Sequence, residues 1–175
     1  TMLQATLRDG TAQRASVFEL FARRLSGGRR YGVVAGVGRL LDALEDFRFG
    51  ADEIAWLRAA EVVDDETLDW LAFYRFSGTI WGYPEGEVYF PNSPVVIVEG
   101  TFAECVILET VVVSLPTHDS AIASAAPLII PAAVRRPAPE TSTRRTPQWP
   151  AVSAPRPRHL PRLHPRSTRI ARSPP

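Results

Sequence analysis

The sequence predicts a mixed α/β fold, because apolar residues change their spacing from one segment to the next. Residues 79–90 and 95–99 show the short apolar runs typical of strands, bounded by Gly- and Pro-containing turns. Residues 33–47 instead place apolar residues every three or four positions, as an amphipathic helix does. Residues 101–113 open with a possible capping box and are apolar on most sides, which predicts a buried helix.

The remaining elements follow from the same periodicities. Residues 1–9 are helical in pattern, and Gly10 follows them where a helix often ends with a glycine. Residues 15–25 alternate well enough to predict a strand. Two short helices are expected over residues 52–60 and 64–74, because both segments begin with acidic residues that favour the positive end of the helix dipole.

The turn between the first strand and the amphipathic helix, residues 27–30, allows two interpretations. Two glycines expose backbone N–H groups and two arginines add charge, which would suit a phosphate-binding loop. An exposed basic hairpin is the favoured interpretation, because no Walker or Rossmann glycine spacing is present.

Charge and composition change sharply along the chain. Residues 1–115 hold 10 Arg and 17 acidic residues, a net charge of −7, whereas residues 116–175 hold 10 Arg and two acidic residues, a net charge of +8. The second segment also contains 13 of the 16 prolines and none of the 11 glycines. Only the first segment has the apolar periodicity needed to offset chain entropy, so residues 127–175 are expected to be a disordered tail.

The single cysteine and the lack of a targeting pattern indicate the compartment. Cys105 excludes an internal disulfide, suits a reducing environment and is expected in the core rather than as a nucleophile. No signal peptide and no apolar run of membrane-spanning length are recognised, so a cytoplasmic protein without a membrane partner is expected. The acidic residues fall at helix starts and on polar faces, which does not favour a catalytic carboxylate pair.

Five segments together resemble the amino-terminal portion of the nicotinate phosphoribosyltransferases found in high-GC bacteria. They are RRYGVVAG at 29–36, LDWL at 68–71, GYPEGEVYFP at 82–91, VEGTFAE at 98–104 and HDSAIASAA at 118–126. The resemblance, which covers about residues 1–126, implies a type II phosphoribosyltransferase with an open α+β amino-terminal domain joined to an irregular α/β barrel. Residues 1–115 would form the α+β domain, and residues 116–126 would begin an incomplete barrel.

The resemblance also implies an activity. Enzymes of this family condense nicotinate with phosphoribosyl pyrophosphate to nicotinate mononucleotide for NAD biosynthesis, coupled to ATP hydrolysis through a phosphohistidine. ATP and Mg²⁺ are thus the implied cofactors, with no prosthetic group, and a homodimer is the implied assembly. Quinolinate and nicotinamide enzymes share the architecture, but the segments at 85–91 and 118–124 favour nicotinate.

Candidate site residues follow from the same resemblance. The family's Ser-Arg-Arg motif corresponds to Arg144 and Arg145, which lie at about the expected distance from His118 and would contact the nicotinate carboxylate or a phosphate. The alternative is that they are two more arginines of an arginine-rich tail. His118, Asp119 and Ser120 are expected near the substrate cleft, with His118 at a helix start. No metal ligand or catalytic residue is assigned, since the phosphohistidine motif is not in this sequence.

Two departures from the family pattern concern the ends of the resemblance. In the family pattern, a substrate-stacking tyrosine is expected shortly before Met2. At the other end, Pro127 predicts that the helix breaks after Ala126, because a proline inside a helix costs about 3 kcal/mol.

The tail at 127–175 has two interpretations. A frame disruption is favoured over a basic tail that binds nucleic acid, because Trp149 is its single aromatic residue.

These departures leave three hypotheses about function. The first is an enzyme of NAD synthesis, the second is a non-catalytic remnant, and the third is a nucleic-acid-binding module that acts through its tail. Under the first hypothesis, the sequence predicts little or no turnover by this chain alone.

Overall fold

The computed structural model describes residues 1–25, 27–132 and 168–170, in which helices and strands are mixed as predicted. In chain order the elements are α1 (Met2–Arg8), β1 (Ala15–Phe21), β2 (Gly32–Val33), α2 (Val37–Asp46), α3 (Ala51–Ala59), α4 (Asp65–Ala72), β3 (Thr79–Gly82), β4 (Val88–Tyr89), β5 (Pro94–Thr101), α5 (Phe102–Ala132) and β6 (Thr168–Ile170). The predictions for the proline- and arginine-rich tail therefore fall mostly outside the described residues.

Two antiparallel sheets organise these strands. The larger sheet has the order β1-β5-β3-β6, and β2 and β4 form a separate two-stranded ribbon. In the larger sheet Val17, Glu99 and Thr79 share one cross-strand row, since Val17 and Thr79 both pair with Glu99. The predicted strands at 15–25 and 95–99 are confirmed as neighbours in this sheet, with β1 at its edge and ending at Phe21.

The predicted strand at 79–90 is wrong in one respect, because the segment divides into β3 and β4 on different sheets. Pro84 lacks an N–H for a strand ladder, and Gly86 adopts a positive φ of 85°. The chain therefore turns, and Gly86 N donates to Val34 O at 2.8 Å. Tyr89, which follows the turn, then pairs with Gly32.

The predicted helix at 33–47 begins four residues later than its apolar spacing suggests. Gly36 precedes α2 with a φ of 89°, a left-handed conformation that interrupts a right-handed helix. Val33 and Val34 are buried all the same, at 6% and 2% exposure, because Val33 ends β2 and Val34 follows it directly instead of forming a helical face. Apolar residues that precede a glycine with a positive φ are compatible with a helix or with a short strand.

The expected helix break after Ala126 is wrong, since α5 runs without interruption from Phe102 to Ala132. The helix thus continues past Pro127, and His118 lies in its interior rather than at its start. A proline costs about 3 kcal/mol in a helix interior, whereas each fully buried Leu or Val contributes about 1.5–3 kcal/mol. Leu108 and Val112, at 0% and 6% exposure, belong to the face that binds this helix to the core.

The length of α5 also corrects the prediction that no apolar run could span a membrane. Residues 102–127 are long and apolar enough to do so by length and composition, with a mean hydropathy of 1.3. The core helix of a globular domain can meet the same criterion. Here α5 packs against α1, α2, β1, β2 and β5, so it is the central helix of the domain.

The main core lies between α5, α2 and the larger sheet. It contains Leu40, Val96, Val98 and Cys105, all at most 2% exposed, so the expectation that Cys105 is a core residue is confirmed. Burial and the nearby Glu104 charge raise the pKa of the Cys105 thiol to about 11, which keeps it protonated.

Glu104 fastens the start of α5 to the neighbouring loop. Its Oε1 accepts hydrogen bonds from Ser77 N at 2.9 Å and Ser77 Oγ at 2.8 Å, and its Oε2 accepts from Thr101 N at 2.9 Å and Thr101 Oγ at 2.8 Å. Burial raises the pKa of this carboxyl, but the four hydrogen bonds outweigh burial and lower it overall. The capping box predicted at Thr101 and Glu104 is confirmed, with Ser77 as an added partner.

We expect Glu104→Gln to lower the free energy of unfolding by about 2 kcal/mol at pH 7, because an amide cannot accept all four hydrogen bonds. The lowered pKa means that the ionised form stabilises the fold above the unfolded-state pKa, and that this contribution is lost as pH falls through the folded-state pKa. Urea unfolding at pH 7 and pH 3 measures both effects. Glu109→Gln, at an exposed position of the same helix, is the control, and a difference that persists unchanged at low pH would contradict the assignment.

Candidate functional site

Several residues from the segments that carry the family resemblance meet where α2 begins beside the middle of α5. We call this region the polar junction and define it as Gly36, Arg39, Glu85, His118, Asp119, Ser120 and Ser124. The sequence prediction brought forward His118, Asp119 and Ser120 together, and the structure joins them to groups from α2 and from the β3–β4 loop.

Two serine hydroxyls attach the 33–35 backbone to α5. Ser124 Oγ accepts from Val33 N at 2.8 Å, while Ser120 Oγ accepts from Ala35 N at 3.0 Å and donates to Ala35 O at 3.1 Å. Residues four apart on a helix rise about 6 Å, and residues two apart on a strand advance about 6.6 Å. The two hydroxyls therefore match successive inward-facing groups of an extended segment, whose N–H groups would otherwise be buried unpaired.

A buried ion pair lies beside this attachment. Asp119 has a 1% exposed side chain, and its Oδ1 lies 3.2 Å from Nη1 of Arg39. Burial raises the pKa of Asp119, and the positive charge of Arg39 and the nearby His118 partly offset that effect. A Cβ at Gly36 would lie 2.9 Å from both Cβ and Oδ2 of Asp119, so the pair fits only against a glycine.

Glu85 caps α2 from the β3–β4 loop. Gly36 offers no side-chain cap, and its N donates instead to Glu85 Oε2 at 3.1 Å, while Gly38 N donates to Glu85 Oε1 at 3.0 Å. A carboxylate in this position satisfies two free N–H groups and opposes the positive end of the helix dipole. The start of α2 is thus occupied by a group of the protein itself.

His118 has a different environment from its two neighbours. Its Nε2 is buried and has no hydrogen-bond partner among the residues that the structure describes. Asp119 and Ser120, in contrast, direct their polar atoms to protein groups. Direct contact of the three residues with a substrate stays a prediction, and Arg144 and Arg145 lie outside the described residues.

Sequence reasoning missed Gly36, Arg39, Glu85 and Ser124 as members of the junction. The available signals were weak, since a glycine before a helix and an acid in a Pro-Glu-Gly turn are common. The basic turn at 27–30 is confirmed as a turn, where Gly27 and Gly28 both adopt positive φ. Its interpretation as a phosphate loop stays open. Over the described residues, no group of three His, Cys, Asp or Glu could hold a metal ion.

We expect Ser120→Ala and Ser124→Ala each to lower the free energy of unfolding by about 1–3 kcal/mol, because each leaves a buried backbone N–H unpaired. Ser114→Ala is the matched control, as Ser114 is an exposed serine of the same helix. Thermal and urea unfolding of the three variants measure the difference. Equal losses for all three serines would contradict the role assigned to the buried pair.

We expect Glu85→Gln to lower the free energy of unfolding by about 1 kcal/mol, because the amide loses the charge that opposes the helix dipole and one of two acceptor oxygens. Glu87→Gln, in the same loop, is the control because its carboxylate does not cap α2. Urea unfolding at low salt provides the measurement. A Glu87→Gln loss as large as that of Glu85→Gln would show a general charge effect instead.

Comparisons with known proteins show which family the chain resembles in sequence. A family model described as the nicotinate phosphoribosyltransferase N-terminal domain matches residues 1–115. Nicotinate phosphoribosyltransferase pncB1 of Mycobacterium tuberculosis is 57% identical over 156 residues, which cover 89% of this chain and 34% of that protein. Its pncB2 counterpart is 39% identical over 145 residues, which cover 83% of this chain and 31% of that protein.

A solved structure agrees with these relatives. The crystal structure of human nicotinic acid phosphoribosyltransferase superimposes with a TM-score of 0.66 and 28% identity, over 71% of this chain and 26% of that one. The chain spans about a third of the length of these two curated relatives. Its first 115 residues form the matched domain, and the chain belongs to the nicotinate phosphoribosyltransferase family.

Proposed function

We propose that the chain provides the amino-terminal part of an enzyme that joins nicotinate to phosphoribosyl pyrophosphate, forming nicotinate mononucleotide for NAD biosynthesis. The observation that carries this proposal is the 57% identity over 89% of the chain to a relative named nicotinate phosphoribosyltransferase. The match of the N-terminal domain model to residues 1–115 supports it independently.

The polar junction supports a scaffolding role for this part of the enzyme. Its carboxylates and hydroxyls bind helix starts, backbone groups and Arg39, so they orient segments of the protein toward one another. Condensing two anionic substrates requires cationic donors held in a fixed geometry. Arg144 and Arg145 are proposed as donors to the nicotinate carboxylate or a phosphate, and the open Nε2 of His118 is proposed as a third contact.

The proposal also includes ATP and Mg²⁺ as cofactors and a homodimer as the assembly, as the resemblance implies. Mg²⁺ keeps several waters and usually binds through one or two carboxylates and the phosphates of its substrates. The proposed ion would therefore arrive with a phosphorylated substrate. A cytoplasmic location is proposed on the reducing environment that the lone, buried thiol of Cys105 suits.

A second candidate function rests on charge. Residues 116–175 have a net charge of +8, which favours binding to the phosphates of RNA or DNA. Binding to nucleic acid would weaken steeply as the salt concentration rises. An enzyme that acts on small substrates would not require nucleic acid for its activity. A titration with labelled single-stranded RNA at 50 and 200 mM salt, beside the activity assay, separates the two functions.

We expect the purified chain to form little or no nicotinate mononucleotide from nicotinate, phosphoribosyl pyrophosphate and ATP, measured by chromatography. The resemblance implies a phosphohistidine and a stacking tyrosine that these 175 residues do not include, and catalysis requires the groups of a site to be held together. A chimera in which residues 1–126 replace the matching part of the tuberculosis pncB1 protein should be active.

Two results would contradict these expectations. A folded but inactive chimera would argue against the proposed function of residues 1–126. ATP-stimulated turnover by the chain alone that is lost in Arg144→Ala, but retained in Arg162→Ala, would show that a complete site is assembled in this chain.

A further inference from the structure

One edge of the larger sheet is formed by residues that are distant from the rest of the sheet in sequence. β6 follows α5 along the chain, yet it lies next to β3 in the sheet. The two strands are antiparallel, and the opposing residues are Ile80 with Ile170, Trp81 with Arg169 and Gly82 with Thr168. The outer edge of β3 is therefore a surface that holds an extended segment of the basic part of the chain.

The backbone groups of β3 alternate between its two neighbouring strands. Tyr83 N donates to Val95 O at 3.0 Å, and this pair continues the β3–β5 register by one residue. In an antiparallel ladder, the N–H and C=O groups of every second residue point to the same neighbour. The N–H of Trp81 therefore points to β5, whereas the N–H groups of Ile80 and Gly82 point to β6. Without β6, these two groups would lie on an open sheet edge.

The register of β6 matches the two faces of the sheet. On the face that packs against α5, Val98 and Ile80 are 2% and 6% exposed, and Ile170 occupies the next position of their cross-strand row. On the other face Trp81 is partly exposed, and Arg169 occupies the next position of its row. A shift of one residue would exchange the faces and place the arginine in the core row. The order of Arg169 and Ile170 therefore specifies this register.

The composition of the basic segment favours the same residues as an added strand. After α5, the longest stretch without proline is 166–173, and Ile170 is the single isoleucine. Proline lacks the N–H that a ladder needs, whereas β-branched residues such as Thr168 and Ile170 favour strands. The opposite net charges of residues 1–115 and 116–175, −7 and +8, also attract the segment to the domain.

We propose that the outer edge of β3 is a strand-docking site and that its occupant is the 166–173 segment of the same chain. The site recognises backbone N–H and C=O groups, and it selects sequence through the order of one polar and one apolar residue. β3 continues into the loop that carries Glu85, so the docked strand joins the basic segment to the part of the domain that holds the polar junction. The docking site goes beyond the proposed enzymatic function and does not depend on it.

Amide hydrogen exchange of the full chain, measured by NMR at single residues, tests the docking. The amides of Ile80 and Gly82 should exchange at least about tenfold more slowly than in an unstructured peptide, at every protein concentration. Exchange of both amides at the unstructured rate would overturn the proposal. Protection that increases with protein concentration would show that a second copy supplies the strand, which would overturn the proposed occupant.

Two variants place the same side chain one residue apart in β6. Ile170→Gln puts an amide in the row that faces α5, so the exchange of Ile80 and Gly82 should accelerate by about tenfold or more. Arg169→Gln and the conservative Ile170→Val should leave both rates within about twofold of the original values. Equal acceleration by the two Gln variants would contradict the register, and unchanged rates in Ile170→Gln would reject the docking site.

Trp81 provides an internal control for these variants. Its N–H points to β5, so its exchange rate in Ile170→Gln should stay unchanged while the rates of the residues on either side increase. The circular dichroism of the variant should also stay close to that of the original chain, because the core between α5, α2 and the sheet is retained. Equal acceleration at Trp81, Ile80 and Gly82 would show unfolding of β3 as a whole and reject the assignment of its outer edge.

Discussion

The attachment of residues 33–35 to α5 is the contact on which the rest of this domain depends. Ser120 and Ser124 hold the backbone of Val33 and Ala35 by hydrogen bonds of 2.8–3.1 Å. That backbone forms β2, which pairs with β4 and so fixes the loop that carries Glu85. Because Glu85 in turn caps α2, two serine hydroxyls determine where a strand, a loop and a helix lie.

The geometry of the same junction has an electrostatic cost, because it buries a carboxylate. Burying Asp119 raises its pKa, so its ionised form opposes folding at neutral pH unless a partner compensates it. Arg39 provides that partner from the first turn of α2, and Gly36 leaves the space that the carboxylate occupies. A buried ion pair adds little net stability in general, but loss of Arg39 would leave the buried carboxylate of Asp119 without this cationic partner.

The sequence predicted the elements whose signals are local. The Thr101–Glu104 capping box marked the start of α5, alternation marked β1, and a short apolar run marked β5. It failed at the junction, where tertiary contacts decide the outcome: Val33 fits a helical face as well as a strand, and pairing with β4 together with the hydrogen bond to Ser124 selects the strand. His118, Asp119 and Ser120 were brought forward by resemblance, but their partner Arg39 lies 80 residues from Asp119 and no local pattern reveals it.

The polar groups of the junction are largely engaged with one another. A helix start is a ready anion site, yet Glu85 already fills the one at α2, and the guanidinium of Arg39 is paired with Asp119. The junction therefore adds carboxylate rather than free positive charge to its surroundings. Under the proposed function, the cationic donors to a nicotinate carboxylate and a pyrophosphate would therefore lie outside the junction, with Arg144 and Arg145 as the proposed donors. In this family member, residues 33–39 and 118–124 thus form a frame that joins α2, the β3–β4 loop and α5 through contacts within the protein itself.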